Sequence, residues 1–385
     1  MVNSELRQYD AIRPFEPEEL PAAYDRLLGN PQFLQVLAYL YPQVPAEAIG
    51  QKMRACHTNL EFQKAFCYTF LKDLMAKVSS GMDMDVENID VKSRYTFVSN
   101  HRDIVLDSAL LDVQLVDAGF DTTCEIAIGD NLLTLPWVKD LVRVNKSFIV
   151  ERSLSPREML MASKRLSEYM HLVVSKKNDN VWIAQREGRA KDSNDRTQPA
   201  ILKMMAMGGE GTPRERLRQL HIVPLAISYE LDPCDFLKAR EMQLRRDVQG
   251  WKKGPTDDIV SMRTGIMGKK GYVHYHCAPC IDEWLDSLPE DTPKAAFFDI
   301  VAAHIDQQIH LNYRLYPNNY VAFDLLNDTQ AFADHYDDGQ RAAFEEYLEG
   351  RLALINDVPQ KDETFLREQI LTMYANPLIN NLVAQ

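Results

Sequence analysis

Short β-rich runs alternate with stretches of helical periodicity through the middle of the chain. The runs are bounded by polar residues and occupy positions 95–99, 125–128, 148–150, 181–184, 222–228 and 273–276. Helical patterns lie between them, at 156–176 and 199–207. Strands that alternate with helices build a layered α/β fold. We therefore expect a mixed β-sheet flanked by helices.

The two ends of the chain have a different, helical texture. Apolar side chains recur at helical spacing within 15–80, and the same period returns in three segments after residue 283. A polar, glycine-containing stretch at 79–88 is typical of a linker. We predict a helical N-terminal region at 1–90, an α/β domain at 91–282 and a helical C-terminal region at 283–385.

Composition excludes several classes of protein. The 385 residues are 45% hydrophobic and 26% charged, which is ordinary for a globular protein and rules out wholesale disorder. No run approaches the ~18–20 uncharged apolar residues that span a bilayer. The N-terminal sequence MVNSELRQYD has no apolar signal region. We expect a cytoplasmic protein that is at most peripheral on the inner face of the membrane.

One local cluster of potential metal ligands contains His274, His276, Cys277 and Cys280. A second Cys-x-x-Cys half that would complete a four-ligand zinc site is missing from the sequence. We interpret the cluster as a strand followed by a turn and expect no metal. The six irregularly spaced cysteines fit a reducing compartment.

The net charge of −13 is unevenly distributed. Residues 91–280 carry a net charge of +5, while 281–385 carry −13. The basic middle is either an ordinary solvated surface or a domain that meets phosphate, anionic lipid or an acidic partner. Nucleic acid is disfavoured as a partner because the overall acidity opposes attraction to a polyanion.

The strongest candidate for chemistry follows the first β-rich run. His101 comes directly after this run, and Asp103 and Asp107 follow at the start of a helical pattern. A histidine beside a carboxylate acts as a general base, because the carboxylate orients the imidazole and stabilises its protonated form. The alternative is a helix cap or a surface pair.

Three later segments add to this candidate. One strand run leads to Arg152, a second leads to Glu187, Gly188 and Arg189, and a third contains Pro224. Arginine forks match phosphate oxygens, and glycine lets the backbone approach a ligand. The sequence shows no serine or cysteine nucleophile with a matching base, so direct transfer is simpler than a covalent intermediate.

In this order the four segments resemble the sequence blocks of the glycerol-phosphate acyltransferase superfamily, which includes glycerol-3-phosphate and lysophosphatidate acyltransferases. The matching residues are Asn100 and His101; Phe148, Ile149 and Arg152; Glu187, Gly188 and Arg189; and Val223, Pro224 and Ile227. The stretch at 129–136 is similar to a further run of the glycerol-3-phosphate branch. The resemblance covers about residues 91–282.

The resemblance implies roles for these residues. His101 is the general base, with Asp107 as its partner and Asp103 as the alternate. Arg152, Arg189 and Lys191 hold the substrate phosphate. Glu187 and Gly188 form the motif loop that supplies oxyanion donors, and Val223, Pro224 and Ile227 form a strand along the acyl groove.

Two spacings depart from the family pattern. Five residues separate His101 from Asp107 where the family has four, so that Leu106 occupies the position of the family's aspartate. Arg189 is also displaced by one position, so we expect Lys191 to share its role. Asp107 is favoured over Asp103 because the residues after Asp107 continue as the family does.

The resemblance thus predicts an O-acyltransferase of phospholipid synthesis. It would move a fatty acyl group from acyl-CoA or acyl carrier protein, as cosubstrate, to a hydroxyl of glycerol-3-phosphate or lysophosphatidate, with no bound cofactor. Two alternatives stay open: acylation of another lipid hydroxyl, such as that of an N-acyl amino-acid lipid, or a non-catalytic module that binds lipid or carrier protein.

Two further groups of residues bear on substrate contact. Methionines near the third block either line an adaptable apolar groove or pack in the core; they are Met159, Met161, Met204, Met205 and Met207. Basic residues between 245 and 270 either touch anionic lipid or an acidic carrier protein, or form a solvated face; they are Arg245, Arg246, Lys252, Lys253, Lys269 and Lys270.

Overall fold

The computed structural model describes residues 5–41, 43–152, 154–254 and 256–385. The first four residues of the N-terminal segment considered above therefore lie outside the described part of the chain. Within it, seven strands form a single sheet. The strands are β1 (Gly81–Asp85), β2 (Thr96–Ser99), β3 (Cys124–Gly129), β4 (Ser147–Val150), β5 (Asn180–Ala184), β6 (Ile222–Tyr229) and β7 (Tyr272–Cys277).

Helices surround the sheet and make up both ends of the chain. The helices before β4 are α1 (Leu20–Leu28), α2 (Pro31–Leu40), α3 (Ala46–Arg54), α4 (Asn59–Phe62), α5 (Thr69–Val78), α6 (Leu106–Asp117) and α7 (Pro136–Val144). Those between β4 and β7 are α8 (Pro156–Leu172), α9 (Pro199–Met205), α10 (Pro213–Arg218), α11 (Asp235–Asp247) and α12 (Asp257–Met267). The C-terminal helices are α13 (Asp282–Ser287), α14 (Phe297–Leu311), α15 (Pro317–Asn327), α16 (Asp338–Ala353) and α17 (Glu363–Ala384).

The strand order is β1-β7-β6-β2-β5-β3-β4. Every neighbouring pair is parallel except β6 and β7, which are antiparallel. The expected mixed α/β sheet flanked by helices is thereby confirmed. Since β2, β3, β4, β5 and β6 run in the same direction, the residues that follow these strands meet at one edge, which we call the carboxyl edge.

The core lies on both faces of the sheet because successive side chains of a strand point in opposite directions. In β2, Val98 packs into a cluster with side chains of α8 and α14, while Phe97 packs into a second cluster with α5 and α6. All four residues of β2 and all eight of β6 are buried. Such two-sided burial explains why both segments read as nearly continuous apolar runs.

The stretch at 79–88 is not a linker, and that expectation is wrong. Gly81–Asp85 forms β1, which pairs in parallel with β7 at the edge of the sheet. Met82 and Met84 pack against the core, which leaves Asp83 and Asp85 on the other face. The proposed division at residues 90 and 282 stays a prediction; β1 lies on the N-terminal side of the first boundary.

The helical character expected of the two ends agrees with the structure, where α1–α5 precede the sheet and α13–α17 follow it. Each end has its own apolar cluster, around Leu27 in the N-terminal region and around Ile370 in the C-terminal region. None of the helices in the described ranges is both long enough and apolar enough to cross a membrane.

Candidate functional site

The turn between β2 and α6 brings His101 and Asp107 together at the carboxyl edge. Nδ1 of His101 lies 2.7 Å from Oδ2 of Asp107. The same carboxylate oxygen accepts the backbone N–H groups of Arg102 at 2.6 Å and Asp103 at 3.0 Å. Three donors on one buried oxygen hold the carboxylate in place and orient the imidazole.

Asp103 has a different position from Asp107. Its Oδ1 accepts the backbone N–H groups of Val105 at 2.9 Å and Leu106 at 2.8 Å, which closes the turn before α6. The extra residue between His101 and Asp107 is accommodated in this turn. Burial raises the pKa of the Asp103 carboxyl, and the nearby charge of Asp107 raises it further. In this geometry the partner of His101 is Asp107.

Asn100 anchors the residue before the histidine to the neighbouring strand. Its side-chain Nδ2 donates to the carbonyl oxygen of Ile227 at 2.9 Å, and its Oδ1 accepts the N–H of Ile227 at 2.8 Å. A fully buried amide thus continues the pairing of β2 with β6 beyond the last backbone pair. In the sequence, Asn100 stands out only as part of a motif and has no assigned role.

Trp182 supports the histidine from the other neighbouring strand, β5. The indole Nε1 donates to Oγ of Ser99 at 3.0 Å, and the edge of the ring approaches the His101 ring at 5.7 Å between centroids. This contact restricts the imidazole from the side opposite β6, because β2 lies between the two strands. In the sequence, Trp182 belongs only to the β-rich run at 181–184 and has no assigned role.

Arg152 follows β4 and crosses the end of β3. Its Nη1 lies 3.3 Å from Oε1 of Glu187, and about a third of the side chain is exposed. The path crosses Gly129, where a Cβ would come within 2.7 Å of Nε of Arg152. Glycine at 129 therefore gives the guanidinium access to the carboxyl edge. Arg152 of the second sequence block and Glu187 of the third are thereby brought together.

The loop that connects β5 to α9 carries the remaining candidates. Gly188 has φ of +66°, a conformation that strains other residues, and a Cβ there would meet no other atom. Glu187 beside it is exposed. Arg189 is only 8% exposed, and its Nη1 is buried without a hydrogen-bond partner. The guanidinium therefore has unused donor capacity.

Lys191 lies at the inner side of this loop and pairs with Glu241 of α11, with 2.7 Å between Nζ and Oε2. Burial lowers the pKa of Lys191 to about 8, and the adjacent positive charge of Arg189 contributes in the same direction. The ammonium is therefore close to neutralisation under mildly alkaline conditions. The charge of Lys191 is therefore paired with Glu241 in this structure, whereas the resemblance assigns it to a substrate phosphate.

The three residues expected along an acyl groove all belong to β6. Val223 and Ile227 are fully buried in the core, and Pro224 is buried between them. Pro224 has no N–H to donate, but its carbonyl accepts from Ala278 at 3.0 Å. They support the sheet beside β2, and their contact with an acyl chain stays a prediction.

The basic residues between 245 and 270 do not form one exposed face. Both interpretations of this group require an exposed side chain, and for Lys270 that expectation is wrong. Lys270 is fully buried, and its ammonium caps α12 by donating to the carbonyls of Ile266 and Gly268 at 3.0 and 2.7 Å. Arg245, Arg246 and Lys253 each pair with a carboxylate. Lys252 and Lys269 are exposed.

The methionines divide between the two interpretations. Met205 is fully buried and Met204 packs against the same core cluster, which favours simple packing for this pair. Met161 is 66% exposed on α8. Core packing therefore accounts for the members on α9, whereas the exposed member on α8 is free to meet an apolar ligand.

A different group from the one considered above offers metal ligands. Potential ligand atoms of His221, Cys280 and Asp282 lie within 4.8 Å of one another, at the edge of the sheet opposite the carboxyl edge. Nδ1 of His221 is already 2.6 Å from the Asp282 carboxylate. Burial raises the pKa of the Cys280 thiol to about 12.

Comparison with known proteins assigns the class of this fold and site. Residues 83–228 match the model of the family described as Acyltransferase. This match covers β2, β3, β4, β5 and most of β6, and with them His101, Asp107, Arg152 and the loop after β5. The expected acyltransferase-family domain is confirmed over these residues, and the chain is an enzyme of the acyltransferase class.

The chain was also compared with curated protein sequences and with solved structures. No curated protein sequence matches the chain. Among solved structures, the chain is similar to a 1-acyl-sn-glycerophosphate (LPA) acyltransferase, PlsC, from Thermotoga maritima, with 12% identity and a TM-score of 0.39. The alignment covers 76% of this chain and 97% of that chain. The assignment of class rests on the family match and not on this likeness.

Proposed function

We propose that the enzyme is an O-acyltransferase of phospholipid synthesis that acylates a hydroxyl of glycerol-3-phosphate or lysophosphatidate. The acyl donor is a thioester, acyl-CoA or acyl carrier protein. The observation that carries the proposal is the buried pairing of His101 with Asp107 at the same edge of the sheet as Arg152 and Arg189, within the acyltransferase domain. A base and phosphate-binding cations are what this reaction requires.

The His101 side chain performs the proton transfers. Since the Asp107 carboxylate accepts at Nδ1, that nitrogen carries the proton and Nε2 is the base. Nε2 takes the proton of the acceptor hydroxyl as its oxygen forms a bond to the thioester carbonyl carbon. The tetrahedral oxyanion then collapses, the C–S bond breaks, and the proton passes from Nε2 to the leaving thiolate. The products are an ester and the free thiol of the donor.

The cations hold the acceptor and the loop stabilises the oxyanion. Arg152 is partly exposed at the carboxyl edge, and Arg189 has a buried guanidinium nitrogen without a partner, so both can take phosphate oxygens. Lys191 becomes a third phosphate-binding cation when the substrate phosphate displaces the Glu241 carboxylate from its ammonium group. Holding the phosphate places the hydroxyl against His101, which is the main source of rate enhancement by positioning. Backbone N–H groups around Gly188 provide donors for the oxyanion.

A second candidate is acylation of a lipid hydroxyl without a phosphate, such as that of an N-acyl amino-acid lipid. The observation that favours it is the ion pair of Lys191 with Glu241, which leaves fewer free charges for a phosphate. The enzyme would meet its acceptor on the cytoplasmic side of the membrane. A lysolipid acceptor would lie in the inner face of an anionic membrane.

The experiment that tests the proposal is transfer of a labelled acyl group to each acceptor. Glycerol-3-phosphate, lysophosphatidate and an N-acyl amino-acid lipid are offered separately, with acyl-CoA and with acyl carrier protein as donors. We expect product with a phosphate-bearing acceptor from the wild-type enzyme and none from His101→Ala. Product only with the N-acyl amino-acid lipid would replace the proposal with the second candidate, and product with no acceptor would contradict both.

A further inference from the structure

The loop between β5 and α9, residues 185–198, is held by a part of the chain that lies outside the family match. Its first half carries Glu187 and Gly188, which are exposed, whereas alternate residues of its second half, Ser193, Asp195 and Thr197, are buried. Asp195 is fully buried, and Ser193 and Thr197 are each 5% exposed. An irregular segment buried in this way needs partners for its polar groups. Those partners come from α14, α17 and the His101 turn.

Arg102 joins the loop to the His101 turn. Its Nη2 lies 2.8 Å from Oδ2 of Asp195, and both side chains are buried. The backbone N–H of Arg102 donates to Asp107, the partner of His101. A single residue therefore contacts the Asp107 carboxylate through its main chain and the loop through its side chain. Asp195 is thus linked to Arg102, the residue next to His101.

Helix α14 holds Asp195 from the other side. The hydroxyl of Tyr313, two residues beyond the end of α14, donates to Oδ2 of Asp195 at 2.8 Å. Nε2 of His310 donates to the carbonyl oxygen of Asp195 at 2.9 Å. The Tyr313 ring also lies beneath the Arg102 guanidinium, 5.7 Å from its Cζ atom. Both the side chain and the main chain of Asp195 are thus bound by the C-terminal region.

Two further contacts hold the rest of the loop. Oδ1 of Asp306 in α14 accepts the backbone N–H of Thr197 at 2.7 Å. Nδ2 of Asn376 in α17 donates to the carbonyl oxygen of Asp192 at 2.7 Å. Lys191 directly precedes Asp192, and Arg189 lies two positions before Lys191. The C-terminal helices therefore hold the segment that directly follows these cations.

The Arg102–Asp195 pair is not arranged for maximal stability. Nη1 of Arg102 and Oδ1 of Asp195 are both buried without a hydrogen-bond partner. A buried pair with unsatisfied atoms is a weak source of folding stability, because the desolvation of both charges offsets their attraction. What the pair does provide is a defined distance between the His101 turn and the loop.

We propose that Asp195 is a positioning residue, which sets the 185–198 loop against His101 through Arg102 and makes the C-terminal helices a working part of the acceptor site. The inference rests on the proposed function, since the acceptor contacts are those assigned above to Arg189 and Lys191. Asp195 itself acts through Arg102 and touches neither substrate nor reacting atoms.

The test compares Asp195→Asn with Asp179→Asn in the full-length enzyme. Asp179 forms an ion pair with Lys146, also at 2.8 Å, that is partly buried and lies at the opposite edge of the sheet. For Asp195→Asn we expect the KM for the phosphate-bearing acceptor to rise at least tenfold, with the KM for the acyl donor within twofold of wild type. Asp179→Asn is expected to leave both values unchanged.

A double-mutant cycle with Arg102→Gln tests whether the two side chains act together. We expect the double variant to be no worse than Asp195→Asn alone. Full additivity of the two effects on the acceptor KM would overturn the coupling. If Asp195→Asn does not fold, Tyr313→Phe removes one hydrogen bond to Asp195 and is expected to change the acceptor KM in the same direction by a smaller factor.

Hydrogen exchange separates this inference from the proposed function. We expect the backbone amides of 186–191 to exchange faster in Asp195→Asn than in wild type or Asp179→Asn, without any substrate present. Unchanged exchange together with an unchanged acceptor KM would overturn the inference. If the wild-type enzyme transfers to no phosphate-bearing acceptor, the proposed function fails, while faster exchange in Asp195→Asn still supports the positioning role of Asp195.

Discussion

Gly265 of α12 packs directly against the carboxylate of Asp103, so that a Cβ at position 265 would overlap Oδ2 of Asp103. Asp103 in turn closes the turn that carries His101. The buried ammonium of Lys270 caps the C-terminal end of α12, and the backbone of Lys270 ties this end to Val78 and Leu231. The position of the His101 turn therefore depends on a helix that follows β6 and lies beyond the family match.

Gly265→Ala is expected to damage both stability and activity. The methyl group has no room, so either Asp103 or α12 must move, at a cost of about 1–3 kcal/mol in the free energy of unfolding. Displacement of Asp103 disturbs the turn and slows acyl transfer. Gly350→Ala is the matched control, since Gly350 is exposed in α16 with open space around it. There we expect a gain of about 0.5–1 kcal/mol and an unchanged rate. Urea unfolding measures the stability of both variants, and initial rates measure their acyl transfer. Equal stability and equal rates for the two variants would contradict the account.

Replacement of the two aspartates should separate their roles. Asp107→Asn removes the negative charge that stabilises the imidazolium as Nε2 of His101 takes the proton, and we expect the rate of transfer to fall by about 10³–10⁴-fold. Asp103→Asn keeps an oxygen that can accept from Val105 and Leu106, so its rate is expected to stay within about tenfold of wild type. Initial rates at saturating substrate measure both. A larger loss for Asp103→Asn than for Asp107→Asn would mean that Asp103 is the functional partner.

Lys191 should give acceptor binding a pH dependence. Because burial lowers the pKa of Lys191 to about 8, the side chain loses its charge as the pH rises through that value. The acceptor KM is therefore expected to increase above pH 8 in the wild-type enzyme. Lys191→Arg keeps its charge at all these pH values, so its acceptor KM is expected to stay flat. The measurement is KM between pH 7 and 9.5. The same increase in both enzymes would show that another group is responsible.

Asp112 should make the protein less stable as the pH rises from acid to neutral. Burial raises the pKa of this carboxyl from 3.8 to about 7 in the folded state. Between those values the unfolded chain releases the proton while the folded protein keeps it, so the stabilisation is complete at low pH and is lost as the pH rises to about 7. The loss is at most about 1.4 kcal/mol per pH unit.

Asp112→Asn removes this titration and is expected to flatten the pH dependence of stability. Urea unfolding of both proteins at several values between pH 4 and 7 measures the difference in slope. The contacts of Asp112 with Gln63 and Cys124 are unrelated to the active-site residues, so the activity serves as a control for intact folding. Parallel curves for the two proteins would contradict the assignment to Asp112.

The sheet was predictable where burial shapes the sequence. Strands such as β2 and β6 are buried on both faces and appear as apolar runs with polar ends. Strand β1 was missed because its sequence, GMDMD, contains a glycine and two aspartates. It is an edge strand with only Met82 and Met84 on the core, and pairing with β7, 191 residues away, makes it a strand. No local signal carries that information.

The candidate site divides in the same way. His101 and Asp107 are close in sequence, and the resemblance favours Asp107 over Asp103 because the residues after Asp107 continue as the family does. The contact between Asp195 and Tyr313 joins residues more than 100 positions apart, and neither belongs to a recognisable motif. Contact with anionic lipid or an acidic carrier protein and a solvated face both require Lys270 at the surface; its burial depends on the carbonyl groups at the end of α12, which only the folded chain supplies.

The measurement that tests the central claim most directly compares His101→Ala with His274→Ala in the labelled acyl-transfer assay. Both histidines pair with an aspartate at 2.7 Å through Nδ1, and both side chains are 14% exposed. His274 lies in β7, two strands from β2, and has no role in the proposed reaction. We predict that His274→Ala transfers acyl groups at nearly the wild-type rate, while His101→Ala loses at least about 10³-fold. A His101→Ala enzyme that retains the wild-type rate would contradict the account.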